Sequence, residues 1–202
     1  MALIRSVCVY CGSSPGKIPA YGIAGRALGR AIAEAGLRLV YGGGTRGIMG
    51  AVCEGALEAG GKVTGIIPRF LLSKEAAASA MDRLDEAEIT EDMHTRKHRM
   101  FEKSDAFVAL PGGIGTVEEI IEIMTWAQLG HHRKPMVFAN VNGFWNPMVA
   151  LLDHMRTEGF IHTGHLVQPL VVDDIADVVP ALMEAADGKR VDRGVKAIID
   201  RL

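Results

Sequence analysis

The sequence predicts an α/β fold, doubly wound around a mainly parallel sheet with helices on both faces, and three observations carry that prediction. The apolar runs are continuous rather than alternating, as in strands buried on both faces. Each run is followed by a stretch of helical period, so strand and helix take turns along the chain. The runs also end in glycine clusters, where a turn feeds the next helix; glycine fills 24 of 202 positions. A chain of this length holds one ordinary core. Residues 1–188 are therefore read as a single domain and 189–202 as a C-terminal tail.

Ser6 to Gly12 is an apolar run ending in Gly-Ser-Ser-Pro, a buried strand entering a turn. Tyr21 to Ala35 has helical period and stops at Gly36. Leu37 to Tyr41 is the second strand, closed by Gly42-Gly43-Gly44, and a helix from Gly47 to Ala59 follows. Lys62 to Pro68 is the third strand. Between 69 and 92 the pattern weakens: Ala76-Ala77-Ala78 favours helix, Glu86 to Thr90 suits a short strand, and the whole is expected to form a mobile flap. Met93 to Ser104 reads as a basic helix, Asp105 to Leu110 as a strand, and Thr116 to Leu129 as a helix. A strand over Lys134 to Val141 and a helix over Phe144 to Glu158 continue the alternation. Leu166 to Val172 is the last strand and Ile175 to Ala186 the last helix.

Twenty-two Lys and Arg against 24 Asp and Glu leave a formal charge of −2. That balance offers no footprint for nucleic acid or an anionic membrane. No apolar run approaches the length that spans a bilayer. Met1-Ala2-Leu3-Ile4-Arg5 is too short for a signal peptide, and three cysteines are an odd number, so a reducing, cytoplasmic setting is expected. Cys8 and Cys11 match C-x-x-C, but positions i and i+3 of a strand face opposite sides, and no second pair completes a zinc site. These are core cysteines.

Two glycine turns carry chemistry. Gly42-Gly43-Gly44-Thr45-Arg46-Gly47 satisfies G-x-G-x-x-G, yet the next strand ends Ile66-Ile67-Pro68-Arg69, where a dinucleotide site has an acid. A nicotinamide site, a plain tight turn, and backbone contact with phosphate or ribose at Gly43 and Gly44 all remain open, the last being preferred. Pro111-Gly112-Gly113-Ile114-Gly115-Thr116-Val117-Glu118-Glu119 places a glycine turn and a hydroxyl ahead of a helix, a ready anion site. The acids that follow read either as first-turn residues complementing the helix dipole or as a base beside a phosphorylated ligand. Glu119, Ile123 and Trp126 share one face, and Glu118, Glu122 and Thr125 another. Glu118 and Glu122 are like charges four apart that need a cation; the helix Met93-His94-Thr95-Arg96-Lys97-His98-Arg99 supplies one unless its charges are merely solvated. Thr95 follows His94, so H-E-x-x-H is absent and no metal is assigned.

Pro-Gly-Gly-Ile-Gly-Thr-Val-Glu-Glu at 111–119, Met93 to Lys97, Gly42 to Gly50, and Thr125-Trp126-Ala127-Gln128-Leu129-Gly130 together resemble the Lonely Guy (LOG) family from about Ser6 to Val172. The resemblance implies a Rossmann-like nucleotide-binding domain that hydrolyses the N-glycosidic bond of cytokinin riboside 5′-monophosphates, and of AMP in many members. It makes Arg96 and Glu119 the catalytic pair. Lys97, Gly113, Ile114, Gly115, Thr116, Val117, Glu118 and Thr125 become nucleotide contacts, as does Glu75 if the alanine-rich segment from Ala76 to Glu91 is allowed extra residues. No cofactor is implied, and the partners are the small-molecule nucleotide and a second copy in a homodimer. Met93, Ile123 and Trp126 are candidates for the pocket wall, with the tryptophans placed first in the core. The alternatives are a nucleotide or molybdenum-cofactor carrier on the same sheet, and a lysine decarboxylase, for which a single domain is small.

Overall fold

The computed structural model describes residues 4–75, 81–161, 169–188 and 196–197. Its strands are β1 (Ser6–Tyr10), β2 (Arg38–Tyr41), β3 (Val63–Pro68), β4 (Glu86–Thr90), β5 (Ala106–Ala109), β6 (Met136–Ala139), β7 (Leu170–Val172) and the two-residue β8 (Lys196–Ala197). Its helices are α1 (Pro19–Glu34), α2 (Gly47–Glu58), the single turn α3 (Leu72–Glu75), α4 (Met93–Glu102), α5 (Ile114–Gln128), α6 (Asn146–Thr157) and α7 (Ile175–Ala186). The sheet runs β4-β3-β2-β1-β5-β6-β7-β8, parallel throughout except that β8 pairs antiparallel with β7.

The doubly wound α/β prediction stands, and Glu86 to Thr90 is a strand with the expected limits. Of the other expectations, Ala76 to Ala78 and the first three residues of the strand from Leu166 lie outside the described residues.

Side-chain alternation along the strands sorts the core into two layers. Val7 and Val9 of β1 face α1, α2 and α7, whereas Cys8 and Tyr10 face α4, α5 and α6. Cys11 falls in the layer opposite Cys8, as a strand demands, and Cys8, Cys11 and Cys53 are all buried and free. The first layer depends on two helices meeting backbone to backbone. A Cβ on Gly29 of α1 would lie 2.0 Å from Val52 O, and one on Gly55 of α2 would lie 2.0 Å from Arg26 O. Only glycine permits that approach. In the second layer Trp145 is buried and donates its indole N–H to Ala109 O at 2.9 Å, and Trp126 packs edge-on against Phe101.

After β1 the chain winds outward through β2, β3 and β4; after β5 it winds the other way through β6 and β7. The connections therefore diverge between β1 and β5, leaving a crevice beyond their carboxyl ends where such sheets bind ligands.

Candidate active site

At that crevice the loops leaving β1 and β5 cross. Gly12 N–H donates to Pro111 O at 3.1 Å and Leu110 N–H to Tyr10 O at 2.9 Å. A Cβ on Gly112 would stand 2.1 Å from Thr116 Oγ1 and 2.9 Å from Gly12 N, so the crossing admits only glycine at 112. Around it lies a cavity of about 360 Å³, walled by Gly12, Ser13, Gly42, Met49, Arg96 and the start of α5 among others.

The helix α5 begins at Ile114, two residues before the expected Thr116, with Gly113 as its N-cap. Its first i→i−4 bond runs from Val117 N–H to Gly113 O at 3.1 Å. The N–H groups of Ile114, Gly115 and Thr116 precede it and lie at the cavity wall, where an anion is the natural partner. The early start also moves Glu118 and Glu119 into the second turn, and the first turn holds no acid. The dipole's influence fades within one turn, so the dipole explanation of these acids falls.

Arg96 and Glu119 meet across the cavity. Asp92 caps α4 by accepting the Thr95 N–H at 2.7 Å, and one turn on Arg96 enters the protein with only 6% of its surface exposed. Its Nε donates to Ile66 O and its Nη2 to Gly42 O, each at 3.1 Å, which ties the guanidinium to the ends of β3 and β2. A Cβ on Gly42 would lie 2.1 Å from Nη2; this glycine makes room for the arginine. The remaining nitrogen, Nη1, lies 3.7 Å from Glu119 Oε1, and Glu119 is itself 9% exposed. Buried charge persists only when paired. With two of its three nitrogens held by carbonyls, Arg96 is a fixed charge beside Glu119 rather than a free fork for phosphate.

Lys97 answers the like-charge problem on the other face. Its Nζ bridges Glu118 Oε1 at 2.5 Å and Glu122 Oε1 at 3.1 Å. Desolvation pulls the ammonium pKa down, but the hydrogen bonds to both carboxylates outweigh it and hold Lys97 above its ordinary value. The rest of the basic helix turns toward β4: Arg99 pairs with Glu88, and Lys103 beyond its end with Glu86. Cys11 lines the cavity, yet burial first and the charge of Glu119 second push its thiol well above the usual range, so it is no thiolate nucleophile.

Arg96, Glu119, Gly113, Ile114, Gly115, Thr116 and Glu118 thus converge as anticipated, and Met93 lines the wall with them. Ile123 and Trp126 do not; they pack in the second core layer because α5 leaves the cavity after its second turn and runs over the sheet. Gly43 and Gly44 pack against Ile67 and Met49, and of that turn Gly42 alone lines the cavity. The α2 N-terminus offers no dinucleotide cradle either, since Ile48 and Met49 N–H groups both donate to Gly12 O, at 3.1 and 3.2 Å. Val117 and Thr125 line a separate apolar groove between α5 and α6. Glu75 ends α3, and its side chain lies outside the described residues. Ser13, Met49 and Leu71 were missed as wall residues: they come from three remote loops and helices, and no periodicity links them.

The family model described as "Possible lysine decarboxylase" matches residues 49–182. The cytokinin riboside 5′-monophosphate phosphoribohydrolase of Rhodococcoides fascians is 44% identical over 88% of this chain and 89% of its own. The probable phosphoribohydrolase LOG4 of Oryza sativa subsp. japonica is 41% identical over 94% and 85%. The chain belongs to the LOG family. A second relative set agrees: LOG7 of Arabidopsis thaliana is 45% identical over 78% of this LOG chain and 71% of its own. Among solved structures, the molybdenum cofactor carrier protein of Chlamydomonas reinhardtii superposes with a TM-score of 0.67 over 92% of this chain and 99% of that one. Its identity is 23%, a likeness of fold. In this LOG protein the family signature 111–119 is the segment that forms the crossing, the helix cap and the carboxylate.

Proposed function

We propose that this LOG-family protein hydrolyses the N-glycosidic bond of cytokinin riboside 5′-monophosphates and of AMP, releasing the adenine-type base and ribose 5-phosphate. One observation carries the reading: a single helix presents open backbone N–H groups at its start and a buried, arginine-paired carboxylate five residues later, both on one cavity. Five residues rise about 7.5 Å along the axis, a span that a ribose ring and one methylene bridge. A phosphate at Ile114, Gly115 and Thr116 then brings C1′ to Glu119.

As the C1′–N bond breaks, the base leaves with its electron pair and takes up a proton, and positive charge spreads over C1′ and the ring oxygen. Glu119 stabilises that charge and takes the proton of the water that attacks C1′. Arg96, held by Ile66 O and Gly42 O, is a fixed counter-charge that keeps the carboxylate in place. Met49, Leu71, Met93 and Met100 give the remaining wall an apolar, adaptable surface for a flat base and its N6 substituent. Gly43, Gly44, Val117 and Thr125 lie outside the lining of this cavity and have no part in this pose within one subunit.

Incubation with AMP and with an N6-prenyl AMP, followed by chromatography, tests the reading: free base and ribose 5-phosphate appear in equal amounts. Tight nucleotide binding with no base released would favour the carrier alternative instead. A decarboxylase is disfavoured by Lys97, since a Schiff-base lysine needs a lowered pKa and this one is raised by two carboxylates.

The groove between α5 and α6, about 370 Å³ and lined by Ile121, Met124, Leu151, Met155 and Phe160, supports a homodimer. Leu151, Met155 and Phe160 are exposed there, and a contiguous apolar patch of this kind is characteristic of an interface. Sedimentation equilibrium checks it: the expected mass is twice the 21.7 kDa chain, and a monomer at all concentrations rejects the assignment. Three free, buried thiols support a cytoplasmic setting, and no helix of the described residues is long and apolar enough to cross a membrane.

A further inference from the structure

We infer that Ser13 is a phosphate-binding residue of this site, the partner of Thr116 across the anion cradle. The inference rests on the hydrolase reading and extends it to a residue outside the signature at 111–119.

Ser13 lies in the cavity wall as an exposed residue, and its hydroxyl makes no hydrogen bond to any described residue, so it is open to whatever enters the cavity. Its position is nonetheless fixed by backbone contacts on both sides. Gly12, the residue before it, donates to Pro111 O and accepts from Ile48 and Met49 N–H groups. On the α2 side, Gly47 has φ +60° and its absent Cβ would stand 2.5 Å from both the carbonyl carbon and the oxygen of Ser13. The loop is wedged between two helix N-termini, so the exposed hydroxyl is held at a fixed place on the cavity wall, where a ligand oxygen can replace the water on it. A rigid backbone with an unengaged hydroxyl is the arrangement of a preorganised ligand contact.

The phosphate end of the cavity is the end Ser13 shares. Gly12 touches the 111–116 turn directly: an added Cβ on Gly12 would be 3.3 Å from Gly112 Cα, and one on Gly112 would be 2.1 Å from Thr116 Oγ1. Thr116 is 4% exposed, and its hydroxyl likewise has no hydrogen bond among the described residues. The arginine–carboxylate pair belongs to the other end, where Arg96 sits among Gly42, Met93 and the strand ends of β2 and β3. Two unengaged hydroxyls beside three open N–H groups give the oxygens of a phosphate directed donors.

Steady-state kinetics of Ser13→Ala and Ser13→Thr with AMP and with adenosine test the assignment. A charge-assisted hydrogen bond lost to an anion changes affinity by about tenfold or more. The expected result is a KM for AMP raised about tenfold in Ser13→Ala with kcat within about twofold, substantial recovery in Ser13→Thr, and the same rate with adenosine in all three proteins. An unchanged KM for AMP overturns the inference, as does an equal loss with adenosine, because the hydroxyl would then serve the sugar or the fold. If the wild-type protein releases no base from any nucleotide, the hydrolase reading fails separately. Calorimetric binding of ribose 5-phosphate then decides Ser13 alone: weaker binding by Ser13→Ala upholds it, and equal binding rejects it.

Discussion

Glu119→Gln is expected to abolish base release while leaving the fold intact. The substitution keeps the shape of the side chain and removes its charge, so two effects separate cleanly. Glutamine cannot take the proton of the attacking water, and a neutral amide does not stabilise the cationic sugar. Removing a preorganised group of this kind costs roughly 100- to 1000-fold in kcat; losing general-base assistance as well adds to that. KM for AMP should change little, because the phosphate is held at the start of α5, five residues away from the altered carboxyl. Stability should fall while the fold persists: the buried Arg96 loses its counter-charge, but it keeps its bonds to Ile66 O and Gly42 O, and the amide oxygen of glutamine can still face Nη1. A change of about 1 kcal/mol moves the thermal midpoint of a chain this size by about 2–4 °C. The check is kcat and KM for AMP beside a thermal melt. A folded variant that turns over within about threefold of wild type removes Glu119 from the reaction.

How far this site could be read from the chain depends on whether its parts are near each other in sequence. The sheet was legible because burial on both faces writes itself as unbroken apolar runs, as at Ser6–Tyr10 and Val63–Pro68. Even the edge strand β4 carried a signal, Glu86 and Glu88 alternating with Ala87 and Ile89, and the structure shows why: those acids face Lys103 and Arg99. The need of Glu118 and Glu122 for a cation pointed to the basic helix, and Lys97 fills it. The start of α5 was misplaced because glycine reads as a turn residue; Gly115 is instead inside the helix, where a bare backbone leaves the anion site open. Ile123 and Trp126 were correctly put on one face with Glu119, but helical period says nothing of where a helix leaves a cavity, and beyond the second turn that face meets Phe101 and the sheet. Ser13, Met49 and Leu71 leave no trace in spacing, since only the crossing of two strand connections brings them together.

Arg96→Ala is expected to be nearly as damaging to activity as the loss of Glu119 and to weaken the fold further. The guanidinium satisfies two strand-end carbonyls, Ile66 O and Gly42 O, and it is the cation facing Glu119. Truncation to alanine removes all three interactions at once. The carbonyls are left to whatever water enters the space, and a buried carboxylate loses its counter-charge; breaking a buried pair by deleting one partner costs about 3–5 kcal/mol. The carboxylate also loses the fixed cation that orients it toward the reacting carbon. A rate loss of about 100-fold or more follows, with a lower denaturation midpoint. Arg96→Lys separates charge from geometry. Lysine keeps the positive charge but has one nitrogen where arginine has three, so it cannot hold both carbonyls and face Glu119 together. It should recover part of the stability and little of the rate. Rates measured beside thermal melts distinguish the roles: kcat of Arg96→Ala stays low at temperatures well below its own melting midpoint. If the rate of Arg96→Ala is restored once stability is compensated, Arg96 is a structural brace for β2 and β3 and has no hand in the carboxylate's chemistry.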